Sequence, residues 1–455
     1  MNKLYKNKNI AVLGLGLEGK DLVSFLFAKK ARVTVYDKKK VNELDFSGIK
    51  RAKLTLRCGK DYFLSNLKDF DFVFRSPGVY RYLPEIIKAE KAGVKISSAT
   101  KLFFDLCPGV IIGVTGTKGK GTTSTLIYQI LKSAGKEVYL AGNIGKPYLE
   151  LLSVINRKSY VVMELSSFQL IDMDKSPHIA VVLNITSDHM DWHKDLDEYI
   201  NAKKNIVEHQ NTKDFAVVNA DYEVSKSFAK LTKGKIVFFS KTFSTNGAFV
   251  ENGEIVFLKD GKRIVLGKSY WLKLRGEHNL ENVTAAISAA AILGTDEETI
   301  KKVVFSFGGL EHRLELVASV GGVSFYNDSF ATGPQPTIAA IRSFTEPITI
   351  ILGGSEKFLD YTELGQVISK SKNVSVVILI GQVASKIEEA IKKFGFKGKI
   401  IKLGKIKMDK IVYEAFSNTP KGGVVLLSPA AASFDMFKSY KDRGEQFKKS
   451  VKELT

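Results

Sequence analysis

The stretch Gly113-Val-Thr-Gly-Thr-Lys-Gly-Lys120 sets glycines, threonines and two lysines between an apolar run and a helical pattern. That order suits a nucleoside triphosphate. A glycine-rich turn from strand to helix aims backbone N–H groups and a helix N-terminus at one spot, and Lys120 adds a point charge for the β/γ-phosphates. Val110-Ile-Ile-Gly-Val114 reads as the buried strand and Thr122 to Ala134 as the helix, stopped at Gly135. Glu164 ends the apolar run Tyr160–Met163. An acid at the C-terminal end of a strand beside a nucleotide loop is a common place for magnesium. A further strand end, Val181-Val-Leu-Asn-Ile-Thr-Ser-Asp-His-Met-Asp191, carries Asp188, His189 and Asp191, and a histidine among acids stands out in a chain with 6 His. Asp188 and His193 read equally well as a turn cap and a surface histidine. Lys203 falls on a helix from Leu196 to Glu208, where periodicity alone makes it one more solvated lysine.

A second glycine turn lies near the N-terminus. Gly14-Leu-Gly16-Leu-Glu-Gly19 follows the strand Ile10–Leu13, and Asp37 ends the strand Val33–Tyr36. This is the spacing of a dinucleotide fingerprint, with the acid placed for a ribose hydroxyl. Alone it suggests an NAD-dependent oxidoreductase. A uridine diphosphate group could use the same turn, and a separate triphosphate loop is hard to reconcile with a dehydrogenase. Ser76-Pro77-Gly78, after Phe70–Phe74, offers further N–H and hydroxyl donors to a phosphate, or is a simple strand-ending turn.

The elements that must hold these groups are short Val/Ile/Leu runs, each followed by Gly, Ser or Asn and then a helical stretch. Such runs imply parallel sheets covered on both faces. Boundaries near residues 100 and 309 give three α/β domains. Residues 1–100 and 309–455 are expected to be Rossmann-like, and 101–308 a P-loop ATPase-type parallel sheet. Between Phe215 and Gly276, alternating residues with turns at Asn252-Gly253 and Asp260-Gly261 predict an antiparallel hairpin insert.

Composition narrows the class. Hydrophobic residues make up 44%, and no apolar stretch approaches the ~18 residues of a membrane span. The N-terminus lacks the apolar core of a signal peptide, and two cysteines cannot build a disulfide framework, so a cytoplasmic protein is expected. The net charge is +20, but the lysines are scattered from end to end. Anionic substrates and a solvated surface account for them, and nucleic acid is not expected as a partner.

Thr115-Gly-Thr-Lys-Gly-Lys120, Glu164-Leu-Ser-Ser-Phe-Gln, Asn184-Ile-Thr-Ser-Asp-His189, Ala202-Lys203, His278-Asn-Leu-Glu-Asn282, His312-Arg313 and Asn327-Asp-Ser329 together resemble the Mur ligases of peptidoglycan synthesis. The motifs run in order through all three domains. Arg75-Ser-Pro-Gly78, Ala141-Gly-Asn-Ile-Gly145 and Leu427-Ser-Pro-Ala-Ala-Ala-Ser-Phe-Asp435 look most like the branch that adds D-glutamate, and the Asp-Asn-Pro-Arg signature of the diaminopimelate-adding branch is missing.

The resemblance implies an amide formed in two steps, by way of an acyl phosphate, from UDP-N-acetylmuramoyl-L-alanine, D-glutamate and ATP. It assigns Gly116, Thr117, Lys118, Gly119, Lys120, Gly121 and Thr122 to the phosphates, Asn279 and Asn282 to the adenine side, Arg313 to the γ-phosphate and Asp328 to the ribose. Two magnesium sites would use Glu164, His189, Thr122 and a Lys203 carbamylated by CO2. The UDP-linked substrate would meet Gly14, Leu15, Gly16, Asp37, Ser76, Pro77, Gly78, Asn143, Ser166 and His189, and the amino acid Thr332, Lys357, Ser433, Phe434 and Tyr440. Lys120, Glu164, His189, Lys203 and Arg313 form the implied catalytic set. Each has a plainer reading: Asn279 and Asn282 as helix caps, His312-Arg313 as a surface linker, Ser433 as the cap of the last helix, Tyr440 as core. A monomer is expected, as is domain closure, since the assigned ATP ligands fall in two domains.

Four positions depart from the family pattern. Gly121 stands where a hydroxyl would serve magnesium, leaving Thr117 or Thr122 to substitute. Lys118 replaces a usual Asn. Glu18-Gly-Lys-Asp21 stands where Thr and Ser are expected, and Phe330 replaces a Lys in Asn327-Asp-Ser-Phe-Ala-Thr332. A buried carboxylate needs a partner, so the loss of that cation predicts relaxed amino-acid selection, with D-lysine or another amino acid competing. Folylpolyglutamate synthase shares the loop and lysine logic, but it would lack a UDP-binding domain over residues 1 to 100.

Overall fold

The computed structural model describes residues 4–59, 62, 66–145, 147–259 and 261–454. Five parallel strands, β1 (Asn9–Leu13), β2 (Arg32–Asp37), β3 (Thr55–Cys58), β4 (Phe72–Arg75) and β5 (Lys95–Ser98), lie in the order 3-2-1-4-5. The order reverses between β1 and β4, and the crevice at the carboxyl ends of such a pair is where open α/β sheets take ligands.

A second parallel sheet holds β6 (Val110–Thr115), β7 (Val138–Gly142), β8 (Tyr160–Glu164), β9 (Ile179–Val182), β10 (Phe215–Asn219) and β11 (Lys235–Phe239), in the order 11-10-9-6-8-7. Here β6 is flanked by β8 and β9, so the phosphate loop, Glu164 and the run after Val182 leave the same edge. The inner strands are buried almost throughout, as expected for a sheet covered on both faces, while the edge strands β7 and β11 are half-buried.

The antiparallel insert is smaller than its sequence pattern suggests. Among its described residues, β12 (Ala248–Glu251), β13 (Glu254–Lys259) and β14 (Lys262–Lys268) pair antiparallel. Phe215–Asn219 and Lys235–Phe239 belong instead to the parallel sheet, where Phe215–Asn219 is paired on both sides, by β9 and β11, and Lys235–Phe239 forms the edge. Asn252 and Gly253 make the first turn with positive φ; Asp260 of the second lies outside the described residues.

A third large sheet holds β15 (Glu315–Val320), β16 (Val323–Asn327), β17 (Ile348–Gly353), β18 (Val374–Ile380), β19 (Lys399–Gly404) and β20 (Val424–Leu427), in the order 15-16-20-17-18-19. Apart from the β15–β16 pair, it is parallel. Two compact units result: residues 1–269 with 280–304, which carry the first two large sheets, and residues 270–279 with 305–455, which carry the third. Apolar clusters lie on the faces of the sheets. Among the described residues no helix is long and apolar enough to cross a membrane.

Candidate active site

The turn after β6 works because two glycines take conformations and spaces closed to other residues. Gly116 has φ +157° and Gly119 φ +84°, and a Cβ on Gly119 would fall 2.1 Å from Asn282 Oδ1. Gly119 is the cap of the helix Lys120–Ser133, which therefore starts two residues earlier than its periodicity indicates. Lys120 Nζ donates to the carbonyls of Gly116 and Thr117, each at 3.0 Å. Thr117 Oγ1 is already engaged, lying 2.9 Å from both the Thr186 carbonyl and the Tyr199 hydroxyl and accepting the Thr186 N–H at 2.8 Å. Of the two hydroxyls that could replace the one lost at Gly121, Thr122 is the one without such ties in its described contacts. Lys118 is exposed and Gly121 buried.

Lys203 is the largest departure from the sequence pattern. Periodicity makes it a solvated lysine, yet it is 1% exposed. Its Nζ donates to the Gly116 carbonyl at 3.1 Å and to Thr115 Oγ1 at 3.4 Å, and sits 4.6 Å from the centroid of the Tyr199 ring. Burial, then the charge of Lys120, push its pKa well below the ordinary lysine value, against Asp188 and Glu164. A neutral amine is the form that can attack CO2, so the site fits a carbamate.

Glu164 ends β8, half-buried, and Gly142 at φ +92° lets the end of β7 close on it: a Cβ there would lie 2.2 Å from the Glu164 carbonyl. The Asn143 N–H donates to that carbonyl at 3.2 Å. His189 is exposed, has φ +56° and carries Nε2 3.6 Å from Asp188 Oδ2. His193, which reads as a surface residue, is instead buried, with Nε2 2.8 Å from Ser167 Oγ and Nδ1 3.1 Å from Glu198 Oε1. No local sequence signal marks His193 or Tyr199.

At the β1–β4 reversal lies a cleft of about 640 Å³ whose wall brings together Gly14, Gly16, Asp37, Ser76, Pro77, Gly78 and Asn143. Leu15, Ser166 and His189 are not on that wall. The Leu15 N–H donates to Asp37 Oδ2 at 2.8 Å, and Ser166 caps the short helix Ser167–Leu170. Ser76 Oγ donates to the Gly14 carbonyl at 2.8 Å, so its hydroxyl closes the turn rather than standing ready for a phosphate. Arg75 is buried and ties the turn inward, to the carbonyls of Val79 and Phe168 and to Asp172. Glu18, which also lines the cleft, accepts from Tyr148 at 2.5 Å and from Gln169 at 2.7 Å, so the side chain standing where a small hydroxyl is expected is held by these two donors.

In the second unit, the Arg313 guanidinium lies 3.9 Å from the centroid of the Phe330 ring, and Phe330 meets Tyr440 edge-on at 5.1 Å. The aromatic residue found in place of a lysine thus carries a cation on its face. Asn279 Nδ2 donates to the Arg275 carbonyl at 2.6 Å, a tie from the first turn of the helix His278–Ile292 back to the segment before it. Ser433 is buried, Thr332 half-buried, and Lys357 and Phe434 exposed. The last helix, Tyr440–Lys452, is capped by Ser439 and not by Ser433. Arg443, unmarked in the sequence, is buried and donates to the carbonyls of Ser329, Ala431 and Ala432, bracing the turns after β16 and β20.

Asp328 accepts from the Ser428 hydroxyl at 2.7 Å and from the Leu314 N–H at 3.2 Å, and burial pushes its carboxyl up to about 7. A carboxyl whose folded pKa exceeds its unfolded value of about 4 adds stability that is complete below pH 4 and lost as pH rises through 7. Asp328→Asn keeps an acceptor for Leu314 and a polar partner for Ser428. It should therefore be more stable than the wild type at pH 8, by on the order of 4 kcal/mol, and melt with it at pH 4. Thermal melts at the two pH values check this.

A Rossmann-type sheet, a P-loop sheet with an acid and a buried lysine at its edge, and a third α/β sheet define a three-domain ATP-dependent ligase. Residues 8–98 match the family model described as Mur ligase MurD-like, N-terminal domain, residues 114–290 the Mur ligase middle domain, and residues 312–431 the Mur ligase, glutamate ligase domain. The chain belongs to the Mur ligase family. It is 41% identical to the UDP-N-acetylmuramoylalanine–D-glutamate ligase of Acetivibrio thermocellus, over 99% of this chain and 98% of that one. With the enzyme of the same name from Symbiobacterium thermophilum the identity is 39%, over 98% of each. In fold it resembles the UDP-N-acetylmuramate–alanine ligase of Thermotoga maritima, with TM-score 0.60 and 18% identity over 99% of this chain and 100% of that one. The oxidoreductase suggested by the first glycine turn is set aside.

Proposed function

We propose that this protein is a cytoplasmic, monomeric ligase that joins D-glutamate to UDP-N-acetylmuramoyl-L-alanine, with ATP converted to ADP and phosphate. The observation that carries the reading is the meeting of Lys120 and the buried Lys203 on the Gly116 carbonyl, with Glu164 on the neighbouring strand. The UDP-linked substrate occupies the cleft at the β1–β4 reversal, and its alanyl carboxylate attacks the γ-phosphorus, forming an O–P bond as ADP leaves. The amino group of D-glutamate then attacks the acyl carbon, losing a proton as phosphate departs. Both steps gather negative charge, so positioning and electrostatic stabilisation carry the catalysis. Lys120 and the loop N–H groups hold the phosphates, Arg313 supplies a second cation, and Asn282 and Asp328 serve the nucleoside. Magnesium, held by Glu164, His189, Thr122 and a carbamylated Lys203, would neutralise phosphate charge when bound.

Thr332, Lys357, Ser433, Phe434 and Tyr440 are assigned to the amino acid. With Phe330 in place of a lysine, D-lysine should compete with D-glutamate. Phosphate release from ATP with the UDP-linked acceptor is the test, comparing D-glutamate, D-lysine and no amino acid. Release that depends on no amino acid would refute the ligase reading. Phe330→Lys is expected to raise the preference for D-glutamate over D-lysine, read as the ratio of kcat/KM values, by roughly tenfold, the size of effect of one partly exposed charge contact. An unchanged ratio would leave selection to other residues.

A further inference from the structure

We propose that Tyr80, Glu198, His193 and Ser167 form a polar chain of positioning residues that fixes the loop bearing His189 and ties it to the wall of the UDP-side cleft. The Tyr80 hydroxyl donates to Glu198 Oε2 at 2.7 Å, Glu198 Oε1 lies 3.1 Å from His193 Nδ1, and His193 Nε2 lies 2.8 Å from Ser167 Oγ. An ionised carboxylate only accepts, so Nδ1 carries the proton and Nε2 accepts from the Ser167 hydroxyl. Every donor in the chain is thereby accounted for. The serine, histidine and acid are spaced as in a hydrolytic triad, but Ser167 is 1% exposed and His193 3%, which leaves no approach for a substrate.

What the chain holds is the turn at His189. The N–H groups of Trp192 and His193 donate to the His189 carbonyl at 3.1 and 3.0 Å, and His189 keeps a left-handed φ of +56°. A histidine stays in that region only when its surroundings impose it. Phe168 supplies the remaining packing, stacked on His193 at 5.6 Å and touching Trp192 at 4.4 Å and His189 at 4.8 Å. One end of the chain lies on the cleft wall, and the other is buried close in sequence to Glu164. Tyr80 and Trp192 line the cleft, and Ser167 sits three residues after Glu164. Next to Glu198 on the same helix, the Tyr199 hydroxyl reaches Thr117 in the phosphate loop at 2.9 Å. Filling the cleft therefore bears, through one carboxylate, on the placement of His189 and Glu164.

This inference rests on the ligase reading, in which His189 and Glu164 serve magnesium. The test uses the full-length protein with Tyr80→Phe, His193→Ala, His193→Asn and the Tyr80→Phe/His193→Ala pair. Magnesium-dependent ATP binding is measured for each, together with phosphate release in the presence of the UDP-linked acceptor and D-glutamate. His193→Ala, which does not reach the cleft, is expected to raise the magnesium concentration for half-maximal binding about tenfold and to lower kcat about thirtyfold, with KM for ATP at saturating magnesium unchanged. His193→Asn, which restores a donor to Glu198, should recover part of both effects. Tyr80→Phe should shift the magnesium requirement in the same direction, and the pair should shift it less than the product of the single shifts. An unchanged magnesium requirement, or a pair that multiplies fully, would overturn the chain even if melting temperatures fell. Should His193→Ala fail to fold, Tyr80→Phe and Ser167→Ala, each removing one hydroxyl, decide the matter by the same measure. A wild type that releases no phosphate would sink the ligase reading alone, because the magnesium dependence of ATP binding still reports on the chain.

Discussion

Lys203→Arg should abolish most ligase activity, lowering kcat/KM on the order of 1000-fold, while ATP still binds. The expectation follows from what only a lysine at this place can become. Its amine is wholly buried, and burial together with Lys120 holds it far below the ordinary lysine pKa. In that neutral form it can bond to CO2 and turn a cation into an anion able to serve magnesium. An arginine stays charged at any accessible pH and has no such route. It would also force a second fixed cation beside Lys120, so Lys203→Gln, neutral and shorter, is the companion variant. Activity of the wild type should fall in buffers stripped of CO2 and return with bicarbonate. Carbon-13-labelled bicarbonate should give a carbamate NMR signal in the wild type and none in either variant. Full activity of Lys203→Arg, or of the wild type without CO2, would end the carbamate reading.

Lys120→Met is expected to cost a similar factor, about 100- to 1000-fold in kcat/KM for ATP, with affinity for the UDP-linked substrate unchanged. The loop would keep its N–H groups, because the positive φ of Gly116 and Gly119 still shapes its turn, although the ties of Lys120 to the Gly116 and Thr117 carbonyls are lost. What disappears is the charge that the transferring phosphoryl group needs. A second consequence is less direct. The field of Lys120 helps to hold the Lys203 pKa down, so its removal lets that pKa rise and makes CO2 uptake harder at neutral pH. The two variants should therefore be non-additive: the double variant should lose much less than the product of the single losses. Steady-state phosphate release across the four proteins checks this, and strict multiplicativity would mean that the two lysines act independently.

The phosphate loop, the strand ends at Glu164 and Asp188, and the glycine turn after β1 are legible in the sequence because each is local. A loop of glycines between an apolar run and a helix dictates its own backbone, and period-2 and period-3.6 patterns locate the strands and helices to within a residue or two. The misreadings fall where a residue's surroundings come from elsewhere in the chain. Phe215–Asn219 looks like part of a hairpin insert until β9 and β11 cover its edges. Ser76 looks like a phosphate donor until the Gly14 carbonyl takes its hydroxyl. Phe330 stands out in the sequence as a departure from a lysine, and only the fold shows the cation of Arg313 lying against its ring.

By itself, then, the sequence determined which atoms are present in which order: a loop that binds phosphates, acids and a histidine at strand ends, two further glycine-bearing sheets, and a motif set resembling one family of ligases. Tertiary structure alone decided which side chains lose water. Lys203 and Lys204 are adjacent on one helix with the same chemistry, yet the first is buried against Gly116 and Tyr199 while the second donates to Asn201 at the surface. Periodicity gives a helix its faces but not the partner that covers each one. Whether an amine is a solvated cation or a neutral nucleophile depends on that cover, since desolvation shifts the pKa.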